Sequence, residues 1–251
     1  MPPSYRAPAN KRSFVLQIIR SRSNRKSSRI ASSPPSALAE RGAGVLVLAR
    51  HGESEFNRED RFTGLKNPNL TPTGIEESIN VGRVLRRHDF HCDAAFTSKL
   101  RRAQQSLRLI LKELGATSVT MFEEAALNER DYGQLSGLTR EEARAKWGAA
   151  RVQAWRRSYD AVPPGGESLK MTAARTQPFF ENRVRPFLLK GRQILIVAHG
   201  NSVRSIVMSL EKLSPGEIAK VSFATGTLLI YRLDAVGTVS ERTEIAVTRS
   251  P

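Results

Sequence analysis

Two stretches of the chain end in the same way: Val45-Leu46-Val47-Leu48-Ala49-Arg50 runs into His51-Gly52, and Ile194-Leu195-Ile196-Val197-Ala198 runs into His199-Gly200. An imidazole at the end of an apolar run, followed by a glycine, can bind a metal, move a proton or act as a nucleophile. Arg50 decides among these. A guanidinium that does not lose its proton is a poor neighbour for a bound cation and a good one for an oxyanion. Lys99, Arg101 and Arg102 cluster where another helix starts, although cations there oppose the helix dipole and exposed amides favour anions. One of the three is therefore expected to turn inward onto an anion, with Lys99 and Arg101 pointing to water. Arginines and two imidazoles around a phosphate suggest phosphoryl transfer, in which positioning and charge neutralisation supply most of the catalysis. His51 would attack phosphorus, and a carboxyl group in a partly dry pocket would protonate the leaving oxygen.

These groups need a scaffold, and the sequence supplies one. Val45–Ala49 and Ile194–Ala198 have the length and continuous apolar character of strands covered on both faces. Thr73 with Glu76 forms a capping-box pattern before Ile75, Ile79, Gly82 and Leu85 at helical spacing. Ser98 is placed to cap a helix with the stripe Leu100, Ala103, Leu107, Leu111 and Leu114, stopped by Gly115. Thr139 with Glu142 repeats the capping box before Ala143, Trp147 and Trp155; Pro163-Pro164-Gly165-Gly166 must be a loop. A last helix is expected over residues 201–213 and a late strand over 227–233. Alternation of this kind predicts an α/β fold, a three-layer α/β/α sandwich with a mainly parallel sheet. In such sheets ligands bind at the carboxyl ends of the strands, so both imidazoles should face one pocket. His88 and His91, in a polar segment, read as surface residues.

Composition bounds the alternatives. The 251 residues suffice for a sizeable core without staples, and the single cysteine, Cys92, cannot form an internal disulfide. No apolar run approaches the ~18 residues needed to span a bilayer. The net charge is +16, but residues 1–44 carry nine Lys/Arg and one acid, so half of the excess lies in a Ser/Arg/Pro-rich leader. This leader is expected to have no fixed fold, with residues 45–251 forming the catalytic domain. Its composition fits an organellar presequence, and a coding start at Val45 or Leu46 would remove it altogether. It lacks aromatics beyond Tyr5 and Phe14, so a solvated tail is favoured over a nucleic-acid partner.

The segment Arg50-His51-Gly52-Glu53-Ser54, with His199-Gly200-Asn201-Ser202 far downstream, resembles the signature of the histidine phosphatase superfamily. Asn57, Arg61-Phe62-Thr63-Gly64, Leu127-Asn128-Glu129-Arg130, Tyr132-Gly133, Trp155-Arg156-Arg157 and Pro163-Pro164-Gly165-Gly166-Glu167-Ser168 narrow the resemblance. Over about residues 45–233 the chain is similar to the cofactor-dependent phosphoglycerate mutases. That resemblance implies interconversion of 3-phosphoglycerate and 2-phosphoglycerate in glycolysis and gluconeogenesis, primed by 2,3-bisphosphoglycerate and without a metal. It implies His51 as the phosphorylated nucleophile, Arg50, Arg102 and His199 around the phosphoryl group, and Glu129 as the acid and base. Ser54, Asn57, Thr63 and Gly64 would contact substrate oxygens near the nucleophile. Arg130, Tyr132, Arg140, Arg156, Arg157, Gly200 and Asn201 would hold the carboxylate and second phosphate.

The resemblance further implies a cytoplasmic homo-oligomer, dimer or tetramer, acting on small phosphoglycerates with no nucleic-acid or membrane partner. The sequence departs from the family where Arg140 stands for a common lysine, Asp131 for a histidine and Leu65 for a tryptophan. Asn67 and Asn69 stand where aspartates are usual. None of these removes an atom that the chemistry needs. A long insertion before the Pro-Pro-Gly-Gly-Glu-Ser segment is missing and the tail beyond Leu233 is short. Hydrolysis of a small phosphate monoester is therefore the rival reaction.

Overall fold

The computed structural model describes residues 18–20 and 44–247. It contains seven strands: β1 Ile18–Arg20, β2 Gly44–Arg50, β3 Ala94–Thr97, β4 Met121–Glu123, β5 Gln193–Ala198, β6 Thr227–Leu233 and β7 Val239–Ala246; its helices include the one-turn α1 Glu55–Arg58 and α7 Arg185–Leu188. They form one sheet in the order β1-β7-β6-β2-β5-β3-β4. Apart from Ile18–Arg20, which pairs antiparallel with β7, the basic leader lies outside the described residues, and with it the expectation that it has no fixed fold.

The continuous apolar run of β2 is buried on both faces because successive side chains point to opposite sides of a strand. Val45, Val47 and Ala49 pack with Val81, Val84 and Leu85 of α2 (Pro72–Arg87) and Leu107, Ile110 and Leu111 of α3 (Arg101–Leu114). Leu46 and Leu48 join Phe179 of α6 (Leu169–Phe179) and Val203, Ile206 and Val207 of α8 (Gly200–Leu210) on the other side. The result is the expected three-layer sandwich. β2, β5, β3 and β4 are parallel, whereas the pairs β2–β6, β6–β7 and β1–β7 are antiparallel. The mixed character follows from connection length: a short turn after Leu233 can join only antiparallel neighbours, whereas the parallel strands are spaced by helices.

Local start signals were displaced where a stronger one stood nearby. α2 begins at Pro72, with Thr71 accepting a hydrogen bond from Gly74 N at 3.1 Å, because proline loses no hydrogen bond in the first helical position. Thr73 therefore falls inside the helix. Its buried face is Gly74, Ser78, Val81, Gly82, Val84 and Leu85, and Ile75 is exposed. α3 begins at Arg101 with Leu100 in the cap position, so Ser98 does not cap it; Gly115, at φ 76°, ends it as expected.

The capping box of Thr139 and Glu142 opens α4 (Arg140–Trp147), but Gly148 at φ 84° separates it from α5 (Ala149–Arg157). α8 stops at Leu210, earlier than expected, with Lys212 at φ 53° and Ser214 capping the short helix α9 (Pro215–Ile218). Among the described residues, no helix is long and apolar enough to cross a membrane.

Candidate active site

β2, β5 and β3 run parallel, and their carboxyl ends lead into His51, His199 and Ser98. β6 is antiparallel to β2 and starts at that same end of the sheet, with Leu228 opposite Ala49. The chain entering β6 therefore brings Val221, Ser222 and Phe223 to the rim of the same cavity, which has a volume of about 330 Å³.

His51 is 2% exposed, and its Nδ1 lies 2.7 Å from the carbonyl oxygen of Gly52. A carbonyl can only accept, so the Nδ1 proton is fixed there and Nε2 carries the lone pair. Burial, then the Arg102 and Arg50 charges, push the His51 pKa well below 6.5, which keeps the ring neutral at physiological pH. Gly52 is required by space: a Cβ there would lie 2.1 Å from the Gly74 carbonyl oxygen, and Gly52 N donates to Ser106 Oγ at 3.0 Å.

The His199 ring lies 5.0 Å from that of His51, centroid to centroid. Its Nε2 is 2.7 Å from Ser98 Oγ, which also accepts from Leu100 N at 3.1 Å. Ser98 thus serves the histidine as well as the approach to α3. His199 Nδ1 is buried without a hydrogen-bond partner among the described residues. Burial, followed by the Arg102 charge, drives the pKa of this ring well below 6.5 too.

Arg102 is the inward-turning member of the basic cluster at α3. It is fully buried, while Lys99 and Arg101 are exposed, as the sequence led us to expect. Its Nη1 and Nη2 donate to the carbonyls of Lys66 (2.7 Å) and Gly64 (3.1 Å), and its Nε donates to His51 Nε2 at 3.2 Å. Burial lowers its pKa to about 10, which still leaves it charged near neutrality. Arg50 Nη1 donates to Phe223 O at 2.7 Å, and its buried Nε has no partner among the described residues.

Glu129 is 7% exposed. Its Oε1 accepts from Arg130 N (2.8 Å), Asn201 N (3.1 Å) and Asn201 Nδ2 (3.0 Å). These donors saturate one oxygen and leave Oε2 to exchange a proton, on the side of Gly200 and Arg50. The Asn201 amide is oriented by Arg204, whose Nη1 donates to Asn201 Oδ1 at 3.1 Å and whose Nη2 donates to Ile218 O. Arg204 lines the cavity, and burial lowers its pKa to about 10. Tyr132 OH accepts from Asn201 Nδ2 at 3.3 Å. Burial, the largest influence, raises the phenol pKa, but the Arg130 guanidinium, 4.5 Å from the ring centroid, and the Asn201 hydrogen bond act together to make the net shift downward.

A small apolar cluster of Phe62, Leu135, Ala143, Val152 and Trp155, of which Phe62 lines the cavity, holds α4 and α5. These helices deliver Arg140, Arg156 and Arg157 to the cavity, where Asn57 and Thr63 complete the near wall. Among the described residues, seven arginines and one carboxylate, Glu129, line the space. Such a surface suits a substrate with more than one anionic group, since guanidinium forks bind oxyanions in bidentate fashion.

Of the residues singled out in the sequence, the structure brings Arg50, His51, Asn57, Thr63, Arg102, Glu129, Tyr132, Arg140, Arg156, Arg157, Gly200 and Asn201 to the cavity wall. Four lie behind it. Ser54 is buried in a reciprocal cap with Asn57, Gly64 gives its carbonyl to Arg102, Arg130 is fully buried against Tyr132, and His199 backs His51. Sequence reading missed Ser98 as the partner of His199, Arg61 and Arg204 as lining cations, and Val221–Phe223 as the rim. Arg204 carried a usable signal: a cation on the helix that follows His199 and begins at the strand end.

The sequence profile of the histidine phosphatase superfamily (branch 1) matches residues 46–245. The chain is 51% identical over 202 residues to the 2,3-bisphosphoglycerate-dependent phosphoglycerate mutase of Afipia carboxidovorans, covering 80% of this chain and 98% of that protein. It is 53% identical over the same length to the mutase of that name from Nitrobacter winogradskyi, with the same coverage. Among solved structures, a mycobacterial glucosyl-3-phosphoglycerate phosphatase superposes with a TM-score of 0.68 at 25% identity over 79% of this chain and 97% of that one. YhfR of Bacillus stearothermophilus, at 22% identity over 78% of this chain and 94% of that one, shares the fold with a TM-score of 0.69. The chain belongs to the histidine phosphatase superfamily, branch 1, and within it to the family of 2,3-bisphosphoglycerate-dependent phosphoglycerate mutases.

Proposed function

We propose that the protein interconverts 3-phosphoglycerate and 2-phosphoglycerate through a phosphohistidine at His51, primed by 2,3-bisphosphoglycerate. The observation that carries this reading is the neutral His51, whose Nδ1 proton is given to Gly52 O and whose Nε2 lone pair meets Arg102 in a cavity lined by seven arginines. In phospho-enzyme, the substrate hydroxyl attacks phosphorus as Glu129 Oε2 takes its proton. The P–N bond to His51 Nε2 breaks, and 2,3-bisphosphoglycerate forms. After reorientation, His51 Nε2 attacks the other phosphorus while Glu129 returns the proton to the leaving oxygen, releasing the isomer and restoring phosphohistidine.

Arg50 and Arg102 neutralise the equatorial oxygens, the arrangement that gives electrostatic stabilisation its weight in a dry site. His199, whose ring lies 5.0 Å from that of His51 and whose Nε2 shares a hydrogen bond with Ser98 Oγ, would stabilise the phosphoryl group during transfer. Arg140, Arg156 and Arg157 suit the carboxylate and the second phosphate. This second anionic end favours a mutase over simple hydrolysis.

The test is conversion of 3-phosphoglycerate coupled to enolase, with and without trace 2,3-bisphosphoglycerate and with a chelator present. The expected outcome is primer-stimulated, chelator-resistant turnover that is lost in His51→Ala. Release of inorganic phosphate without isomerisation would assign the site to hydrolysis instead.

A further inference from the structure

Glu129 is held by little regular structure. It follows the 3-10 turn Ala125–Leu127 in a segment whose carbonyls need donors from elsewhere, because the last carbonyls of a helical turn have no partner within it. Thr176 Oγ1 gives one, to Ala126 O at 3.0 Å, and a single guanidinium gives the rest. Arg175, in the middle of α6, donates from Nη1 to Ala126 O at 2.7 Å, and from Nη2 to Asn128 O and Glu129 O, both at 3.1 Å.

The same guanidinium is fixed from its other edge by Glu167, at the foot of α6. Nε donates to Glu167 Oε1 at 3.2 Å and Nη2 to Oε2 at 3.0 Å. Glu167 in turn grips the far side of the catalytic segment: its Oε2 accepts from Asp131 N at 3.1 Å, and its own N donates to Asp131 O at 2.8 Å. Thr172 Oγ1 adds a bond to Oε2 at 3.4 Å. The pair is only a quarter exposed, at 25% and 24%, and neither member lines the cavity.

We propose that Arg175 and Glu167 are positioning residues that clamp the backbone from Ala126 to Asp131 and so set where Glu129 Oε2 stands relative to the reacting oxygen. This rests on the assignment of Glu129 as acid and base given above. A single planar group whose donors reach three carbonyls within four residues can do this; a lysine, with one point of attachment, cannot reproduce the fork. Displacement of a catalytic group by about 1 Å can cost roughly 100-fold. The loss should appear only where proton transfer to the leaving oxygen is needed.

That condition separates positioning from general structural support. Full-length Arg175→Gln, Arg175→Lys and Glu167→Gln are compared with Glu129→Gln on two probes: 3-phosphoglycerate, whose alkoxide must be protonated, and p-nitrophenyl phosphate, whose phenolate departs unaided. The readouts are steady-state kcat and KM for the first and the first-turnover burst of p-nitrophenolate for the second. For Arg175→Gln, kcat on 3-phosphoglycerate should fall about 30- to 100-fold, up to the lower end of general acid–base contributions because the carboxyl is displaced and not removed, with KM changed less than about threefold and the burst rate little altered. Arg175→Lys should recover part of the loss, and Glu129→Gln should show a larger gap between the two probes.

Parallel loss on both probes, or loss on neither, for Arg175→Gln overturns the proposal. If that variant does not fold, Glu167→Gln, which keeps the shape and one acceptor, must show the same asymmetry in smaller degree or the clamp is rejected. The two failures are distinguishable. A Glu129→Gln enzyme with no leaving-group dependence removes the acid assignment and the clamp with it, whereas dependence in Glu129→Gln but not in Arg175→Gln removes the clamp alone.

Discussion

Arg102 Nε donates to His51 Nε2 at 3.2 Å, and this nitrogen is the one with the free lone pair. In the mechanism proposed above the arginine therefore occupies the attacking atom and would redirect its N–H to a phosphoryl oxygen when the ligand enters. Arg102→Lys keeps the charge but cannot serve His51, Gly64 O and Lys66 O together. Its kcat/KM in the coupled assay should fall by about 100-fold or more, the scale set by loss of one donor to a developing oxyanion. Urea unfolding should show a loss of ~1–3 kcal/mol from the stranded buried carbonyls. Wild-type kinetics in this variant would mean that the guanidinium geometry is irrelevant.

Both histidines are held neutral by burial, so the protein should lose stability on mild acidification. Their folded pKa values lie below the unfolded value near 6.5. Stability is thus fully present above pH ~6.5 and declines as the pH falls below it, because the unfolded chain takes up protons that the folded one refuses. Each ring contributes a slope of up to about 1.4 kcal/mol per pH unit in that window. Denaturant melts between pH 7.5 and 5 should show this slope, reduced in His51→Gln. An unchanged slope in the variant would show that this ring is protonated in the fold.

Ser98→Ala leaves His199 Nε2 and Leu100 N without their shared hydroxyl. Orientation of His199 then depends on packing alone. We expect kcat to drop about tenfold, equivalent to ~1.4 kcal/mol of transition-state stabilisation, and Ser98→Thr to retain most of the activity. Equal rates for Ser98→Ala and the parent would dismiss the contact.

Gly52→Ala should be among the most damaging small substitutions in the chain. The added methyl would meet the Gly74 carbonyl at 2.1 Å, a backbone atom that cannot rotate away. Destabilisation of about 3 kcal/mol or more is expected from overpacking of this kind, with loss of turnover, measurable by thermal melting. A variant that melts with the parent would show that the nucleophile loop can move away from α2.

How much of this was legible in advance depended on distance along the chain. The strand ends carrying His51 and His199, the inward turn of one cation among Lys99, Arg101 and Arg102, and the Thr139–Glu142 capping box are local patterns, and each was found where expected. Where two local signals competed, the one with less to lose prevailed, as Pro72 shows by moving the start of α2 to its own position.

The linear order of residues determined the chemistry available: imidazoles closing buried strands, a surplus of guanidinium groups and a carboxylate in their neighbourhood. It could not determine which hydroxyl meets His199, which arginine orients Asn201 or which pair braces Glu129. Ser98 and His199 are 101 positions apart, and Arg175 and Glu129 are 46 apart. Such partners are chosen by strand register and helix docking, and these are settled only when the whole hydrophobic core closes. For that reason tertiary structure alone decided how the catalytic groups are held.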